Sequence, residues 1–247
     1  MHLPLFYLLN FSIILIVLIF IIKYVWDMFF AETYEPPAWE TARKQGLISK
    51  TLLKASRNYP DKVRLYNFWL QIQHIYKDKI EGDFAELGVY KGESARLLHL
   101  MAPDRCLHLF DTFGGFTETD LRSETGSAAT YTTRNFADTS VNGVLKHIGG
   151  NSDRIKIHSG YFPESATGLE NSAYALVNLD VDLYNPTSAG LQYFYSRLTP
   201  GGVIFIHDYN SKWEGLVKAV DEFVLTIPEQ LVFVPDMDSS VMIIKCK

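Results

Sequence analysis

The chain has 247 residues, 47% hydrophobic and 21% charged, with a formal net charge of -5. That length supports one substantial domain plus an appendage, and the acidic balance argues against a nucleic-acid-binding surface. Cys106 and Cys246 are the only cysteines and each falls within an expected strand, so no disulfide framework is expected and a reducing compartment fits; no CxxC pair or Cys/His cluster in the sequence points to structural zinc.

Residues 3–22, LPLFYLLNFSIILIVLIFII, carry no charge and are long enough to cross a bilayer as a helix. Tyr24, Trp26, Phe29 and Phe30 follow where an interfacial aromatic belt belongs. The absence of a basic start and of an A-x-A site separates this stretch from a cleaved signal peptide, and residues 1–30 are expected to be a membrane anchor. Lys23, Arg43, Lys44, Lys50, Lys54 and Arg57 all lie beyond the span, with no Lys or Arg before it, which favours a single-pass protein whose remainder faces the cytoplasm. In the linker ETYEPPAWE, Pro36 and Pro37 are expected to bar helix. Leu47, Leu52, Leu65, Phe68, Trp69, Ile72 and Ile75 then recur at helical intervals, interrupted at Pro60. Residues 31–80 are thus expected to be a linker and helical segment.

Over 81–247 strand and helix patterns alternate. Strands are expected at 83–89, 106–111, 154–159, 174–180, 202–207, 231–235 and 240–246, and helices at 92–101, 187–198 and 214–226. The order predicts an α/β fold with a doubly wound, mainly parallel, seven-stranded sheet. Residues 117–142 are polar and long for a connection, either a lid over a site or a plain surface excursion.

Ligands of such sheets bind beyond the carboxyl ends of the strands. The first strand ends on Glu86, Gly88 and Gly92; the second on Asp111; the third on Ser159, Gly160 and Tyr161; the fourth on Asp180 and Asp182; the fifth on His207 and Asp208. Gly88 and Gly92 let backbone approach a ligand at the start of a helix. Asp111, about twenty residues further on, is placed to accept hydrogen bonds from ribose hydroxyls. The spacing is not G-x-G-x-x-G, so a dinucleotide oxidoreductase is the weaker reading. Carboxylates recurring at one sheet edge can share a cation.

The pieces RLYNFWLQIQHI, GDFAELGVYKGESA, FDTFGGF, HSGYFPES, LDVDLYNPT, LQYFYSRLTPGG and IFIHDYN, in this order over residues 63 to about 226, resemble the macrocin O-methyltransferase family of S-adenosylmethionine-dependent sugar O-methyltransferases. AELGVYKGESA also resembles the corresponding turn of catechol O-methyltransferase. The resemblance implies that Glu86, Gly88 and Gly92, with Tyr90 and Ser94 in the same turn, surround the methionine part of the cofactor. It implies that Asp111, with Thr112, holds the ribose, and that Gly160, Tyr161 and Phe162 lie near the adenine. It further implies a divalent cation, magnesium or manganese, on Asp180 and on His207-Asp208, where relatives carry an acidic pair. Asp182 would then be a supporting group or base, and His207 either a metal ligand or a general base. Asp182 could instead cap the following helix, and His207 could be a core imidazole. His74, His99, His108, His147 and His158 have no partners legible in sequence. The acceptor would be a small-molecule or lipid-linked glycan, and a homo-oligomer is left open. A membrane-tethered, inactive scaffold on the same fold is the alternative from another class.

Overall fold

In the computed structural model, residues 5–30, 35–150 and 152–246 are described. The chain divides into two units, Met1–Thr41 and Ala42–Lys247. In the first, helix α1 (Leu5–Phe30) is unbroken. Its stretch Tyr7–Trp26 has a mean hydropathy of 2.6, is not buried, and is long and apolar enough to cross a membrane. Side chains of Phe29 and Phe30, expected in the aromatic belt, and residues 31–34 of the linker lie outside the described residues.

Helix α2 (Pro37–Lys44) begins at a proline expected to prevent it. Pro37 occupies the first helical position, where the missing N–H is no loss and the fixed φ suits the helix. Helix α3 (Lys50–Asn58) is capped by the Ser49 side chain, which accepts from Leu52 N. The Lys62 ammonium closes the other end, donating to the carbonyls of Arg57 at 3.0 Å and Tyr59 at 2.6 Å. Helix α4 (Lys62–Lys77) is capped by Asp61, whose second oxygen accepts from Met237 N at 2.7 Å. Leu65, Phe68, Ile72 and Ile75 are wholly buried, a stripe at helical spacing, and Phe68 meets Phe205 edge-to-face at 4.8 Å between centroids. Helices α3 and α4 therefore share the sheet's compact unit, although they precede it in sequence as a separate helical segment.

The elements that follow are β1 (Asp83–Leu87), α5 (Glu93–Met101), β2 (Leu107–Asp111), α6 (Glu118–Leu121), α7 (Val141–Ile148) and β3 (Ile155–Ser159). Then come β4 (Tyr174–Leu179), α8 (Tyr184–Arg197), β5 (Leu198–Ile206), α9 (Glu214–Val224), β6 (Val232–Phe233) and β7 (Val241–Ile244). The seven strands lie in the order β3-β2-β1-β4-β5-β7-β6. All pairs are parallel except those of β7, which runs antiparallel to β5 and β6. Every residue of β4 is buried, as expected of a central strand covered on both faces. The chain order reverses between β1 and β4, so the crevice above their carboxyl ends is the topological switch point.

Candidate active site

Above that switch point lies a cavity of about 490 Å³. Its floor begins at Gly88, with φ +86°; a Cβ there would sit 1.9 Å from the Asp180 carbonyl oxygen, so only glycine lets β1 turn this close to β4. Tyr90 and Gly92 also take positive φ, and Gly92 is the N-cap of α5. The amides of Val89 and Tyr90 donate to one oxygen of Asp111, at 2.7 and 2.9 Å, and Phe113 N donates to the other at 2.7 Å. Asp111 thus braces the glycine turn from the neighbouring strand. Tyr90, Gly92, Ser94, Asp111 and Thr112 all line the cavity, with the Thr112 hydroxyl also donating to Gly115 O at 2.8 Å. Gly160, Tyr161 and Phe162 line its far side. The Tyr161 hydroxyl donates at 2.7 Å to Asp120, a buried carboxylate that also receives Asn185 Nδ2 at 3.0 Å.

Glu86 does not line the cavity. It is wholly buried one layer beneath, with one oxygen accepting from the Ser94 hydroxyl and from Asn178 Nδ2 and the other oxygen unpartnered. Burial pushes its pKa up to about 8, so this carboxyl holds its proton at neutral pH.

At the ends of β4 and β5, Asp180, Asp182 and Asp208 each bring a carboxylate oxygen within 4.8 Å of the others. Asp182 has φ +62° and Asp208 φ +61°, left-handed conformations that cost a non-glycine residue energy. Asp182 is the centre of a three-residue turn closed by Leu183 N donating to Val181 O at 2.6 Å, a strained hand of turn of the kind that gathers at functional sites. Burial and the charge of Asp208 push the Asp180 pKa up to about 7; burial and both neighbours hold Asp182 well above the carboxylate range; burial and Asp238 raise Asp208. Crowding three carboxylates in a buried site favours their protonated forms, and Arg64 and Lys212 oppose that rise only in part. A hard divalent cation fits them, since they supply only oxygen donors and their mutual repulsion vanishes when it binds. S-adenosylmethionine fits the glycine turn, the N-terminus of α5 and the carboxylate beside them, which together line one wall of the cavity.

His207 is not part of this group. Its ring is 1% exposed, Nε2 lies 2.5 Å from Asn178 Oδ1 and Nδ1 3.3 Å from Ser240 Oγ. Burial holds its pKa well below the ordinary value, so the imidazole is neutral and points into the sheet layer, away from ligand and base roles. Nor does Asp182 cap α8. The N-cap is Leu183, without a side-chain bond, and Glu124 from the excursion accepts Tyr184 N at 2.7 Å instead.

Several cavity residues stand outside the strand ends. Arg64 and Tyr59, from α4 and the end of α3, line it beside Asp180. Arg64 is held in place by Asp236 at 3.0 Å and Asp238 at 2.7 Å, and its charge opposes the rise of the Asp180 pKa. The only signal was its place in RLYNFW, a matched motif. Lys212 also lines the cavity and opposes the rise at Asp182. Residues 117–142 fold over the cavity: Phe116 stacks on Tyr131 at 5.5 Å, Tyr131 meets Trp213 at 5.1 Å, and Phe136 meets Tyr90 at 5.1 Å. Asp138 receives Tyr90 Oη at 2.9 Å and Lys91 Nζ at 2.6 Å, tying this cover to the glycine turn.

The O-methyltransferase NovP superposes with a TM-score of 0.65 at 21% identity, covering 75% of this chain and 81% of that one. The calicheamicin methyltransferase CalS11 does so with 0.58 at 21%, covering 87% and 95%. These likenesses establish a methyltransferase fold. In sequence, a tetracenomycin-C rhamnosyl 4'-O-methyltransferase of Streptomyces olivaceus is 26% identical over 162 residues, 59% of this chain and 60% of that protein. Mycinamicin III 3''-O-methyltransferase of Micromonospora griseorubida is 28% identical over 158 residues, 59% of this chain and 62% of that protein. The chain thus spans about three-fifths of the length of these relatives. The profile of the macrocin-O-methyltransferase (TylF) family matches residues 41–233, from α2 through β6, and the chain belongs to that family.

Proposed function

We propose that the chain is an S-adenosylmethionine-dependent O-methyltransferase acting on a hydroxyl of a sugar or glycoconjugate, with a divalent cation at Asp180, Asp182 and Asp208. The observation that carries this reading is the meeting, in one cavity, of the Gly88 cradle braced by Asp111 with three carboxylates within 4.8 Å of one another. When bound, the cofactor supplies an electrophilic methyl sulfonium and the cation lowers the pKa of the acceptor hydroxyl. The chain's own residues orient and shield. Asp111 would hold the ribose, Gly160, Tyr161 and Phe162 would flank the adenine, and the Asp182 carboxylate would receive the hydroxyl's proton. Arg64 and Lys212 near the carboxylates limit their excess negative charge, and the cover formed by Phe116, Tyr131 and Phe136 would exclude water from the transfer.

Helix α1 supports a membrane-anchored enzyme with this domain in the cytoplasm, and hence a lipid-linked glycan or membrane glycolipid as acceptor. The test is methyl transfer from labelled S-adenosylmethionine by the full chain, with magnesium, to membrane lipid extracts and to a panel of soluble glycosides. Label in a glycolipid supports the whole reading; label only in soluble glycosides keeps the transferase and removes the membrane acceptor. Cofactor binding with no transfer to any hydroxyl would favour the scaffold. Carbonate extraction tests the anchor, which predicts that the full chain stays with the membrane pellet.

A further inference from the structure

We propose a second metal site, built for zinc, on Asp83, Cys106 and His108 at the end of the sheet opposite the cavity. Cys106 immediately precedes β2 and His108 is its second residue; two apart in extended chain, their side chains leave the same face. The parallel register Phe84↔Leu107 and Ala85↔His108 sets Asp83 beside Cys106 and diagonal to His108. One ligand atom from each of the three lies within 4.8 Å of the other two, and Asp83 Oδ2 is 3.1 Å from His108 Nε2. Tetrahedral zinc, with ligands at about 2.0–2.3 Å, separates neighbouring ligand atoms by about 3.3–3.7 Å, so only small adjustments are needed.

A second observation points to a ligand rather than to chance crowding. His108 Nδ1 is 3.0 Å from His158 Nε2, with the two rings parallel within 3°. Metal-bound histidines characteristically use their other nitrogen in this way, which fixes the ring and its tautomer. Asp83 is half exposed while His108 is buried, leaving an entry path from solvent to a rigid inner ligand. A thiolate, an imidazole and a carboxylate together suit zinc and disfavour magnesium. Arg154 and Lys156 lie near Cys106, but the thiolate and the carboxylate balance the ion's charge, so they face a neutral complex. The strand from Asp83 to Leu87 places this site about 15 Å from the glycine turn, which makes it a clamp between β1 and β2 rather than part of the transfer chemistry.

Binding breaks the Cys106 S–H bond, forms the metal–sulfur bond and releases that proton to solvent. His108 passes from its Nε2–H to its Nδ1–H tautomer, and His158 shifts its proton likewise from Nε2 to Nδ1. The histidine pair therefore neither gains nor loses protons, and one proton is released per ion.

Cobalt(II) is the probe, added to the purified full chain with magnesium in excess to occupy the carboxylate site. The expected result is a near-ultraviolet thiolate-to-cobalt charge-transfer band that saturates at one ion per chain and is displaced by zinc. Zinc should release one proton, read with an indicator dye, and raise the unfolding temperature. The band should vanish in Cys106→Ser and persist in Cys246→Ser and Asp182→Asn. His158→Asn, which keeps all three ligands, should weaken zinc about 10–100-fold. No charge-transfer band, or a band that survives Cys106→Ser, overturns the proposal.

Discussion

Replacing Asp111 by alanine removes the acceptor of three backbone amides, Val89 and Tyr90 at 2.7 and 2.9 Å and Phe113 at 2.7 Å. A hydrogen bond to a charged acceptor contributes about 1.5–3 kcal/mol when shielded, but Asp111 is half-buried, so water replaces part of the loss and about 2–4 kcal/mol in total is expected. For a domain of this size each kcal/mol corresponds to about 2–4 °C, giving a fall in Tm of about 4–16 °C. Asp111→Asn keeps one oxygen, enough for the Val89 and Tyr90 amides but not for Phe113, and should lose less than half as much. The assay is thermal unfolding of the full chain followed by circular dichroism, with and without S-adenosylhomocysteine. The cofactor's stabilising increment should shrink in the order wild type, asparagine, alanine, because a properly set turn is needed to receive it. An alanine variant with wild-type Tm would refute the view that this carboxylate braces the turn. A wild-type increment in that variant would remove Asp111 from the cofactor site.

Asp182→Asn should weaken magnesium at least about tenfold, measured by calorimetry, because it replaces one of three anionic oxygen ligands by a neutral carbonyl; unchanged affinity would return Asp182 to a supporting role. With His207 outside the carboxylate group, magnesium should support transfer at least as well as manganese, and a marked manganese preference would contradict the ligand set. His207→Asp should leave that preference unchanged and cost about 3 kcal/mol or more in a denaturant titration, since it buries a carboxyl against Asn178. Glu86, held up to about 8, and Asp180, held up to about 7, both have folded pKa values above their ordinary ones. Their contributions to stability are therefore full at pH below about 4 and are lost as pH rises through about 7–8. Metal-free protein should lose Tm across this window, magnesium should remove the Asp180 part, and Glu86→Gln should remove the Glu86 part. A variant whose Tm falls as steeply as wild type would contradict the protonated Glu86.

The strand ends were legible because a buried apolar run that stops on a glycine or an acid marks the carboxyl end of a parallel strand, as at Gly88, Asp111 and Asp180. What lay beyond that was the direction of side chains. Strand β4 and the 201–206 part of β5 are buried on both faces, so apolar residues fill both faces and alternation does not say which face a residue joins. His207 and Asp208 were therefore indistinguishable as cavity residues, and the imidazole proved to face the sheet layer. Asp182 joined the carboxylates through a left-handed turn at φ +62°, which no spacing announces. Pro37 opens a helix because a proline bars a helix interior but favours its first position. Arg64 and the pairing of Asp83, Cys106 and His108 are tertiary: the residues come together only when α4 docks on β5 or when β1 and β2 take their register.

Diffraction from crystals grown with S-adenosylhomocysteine and manganese, with anomalous differences recorded for the metal, tests the central claim most directly. The account predicts one manganese peak among Asp180, Asp182 and Asp208, a ribose hydroxyl within hydrogen-bonding distance of Asp111, and His207 still paired with Asn178. A peak on His207, or a cofactor bound elsewhere than over Gly88, would contradict it.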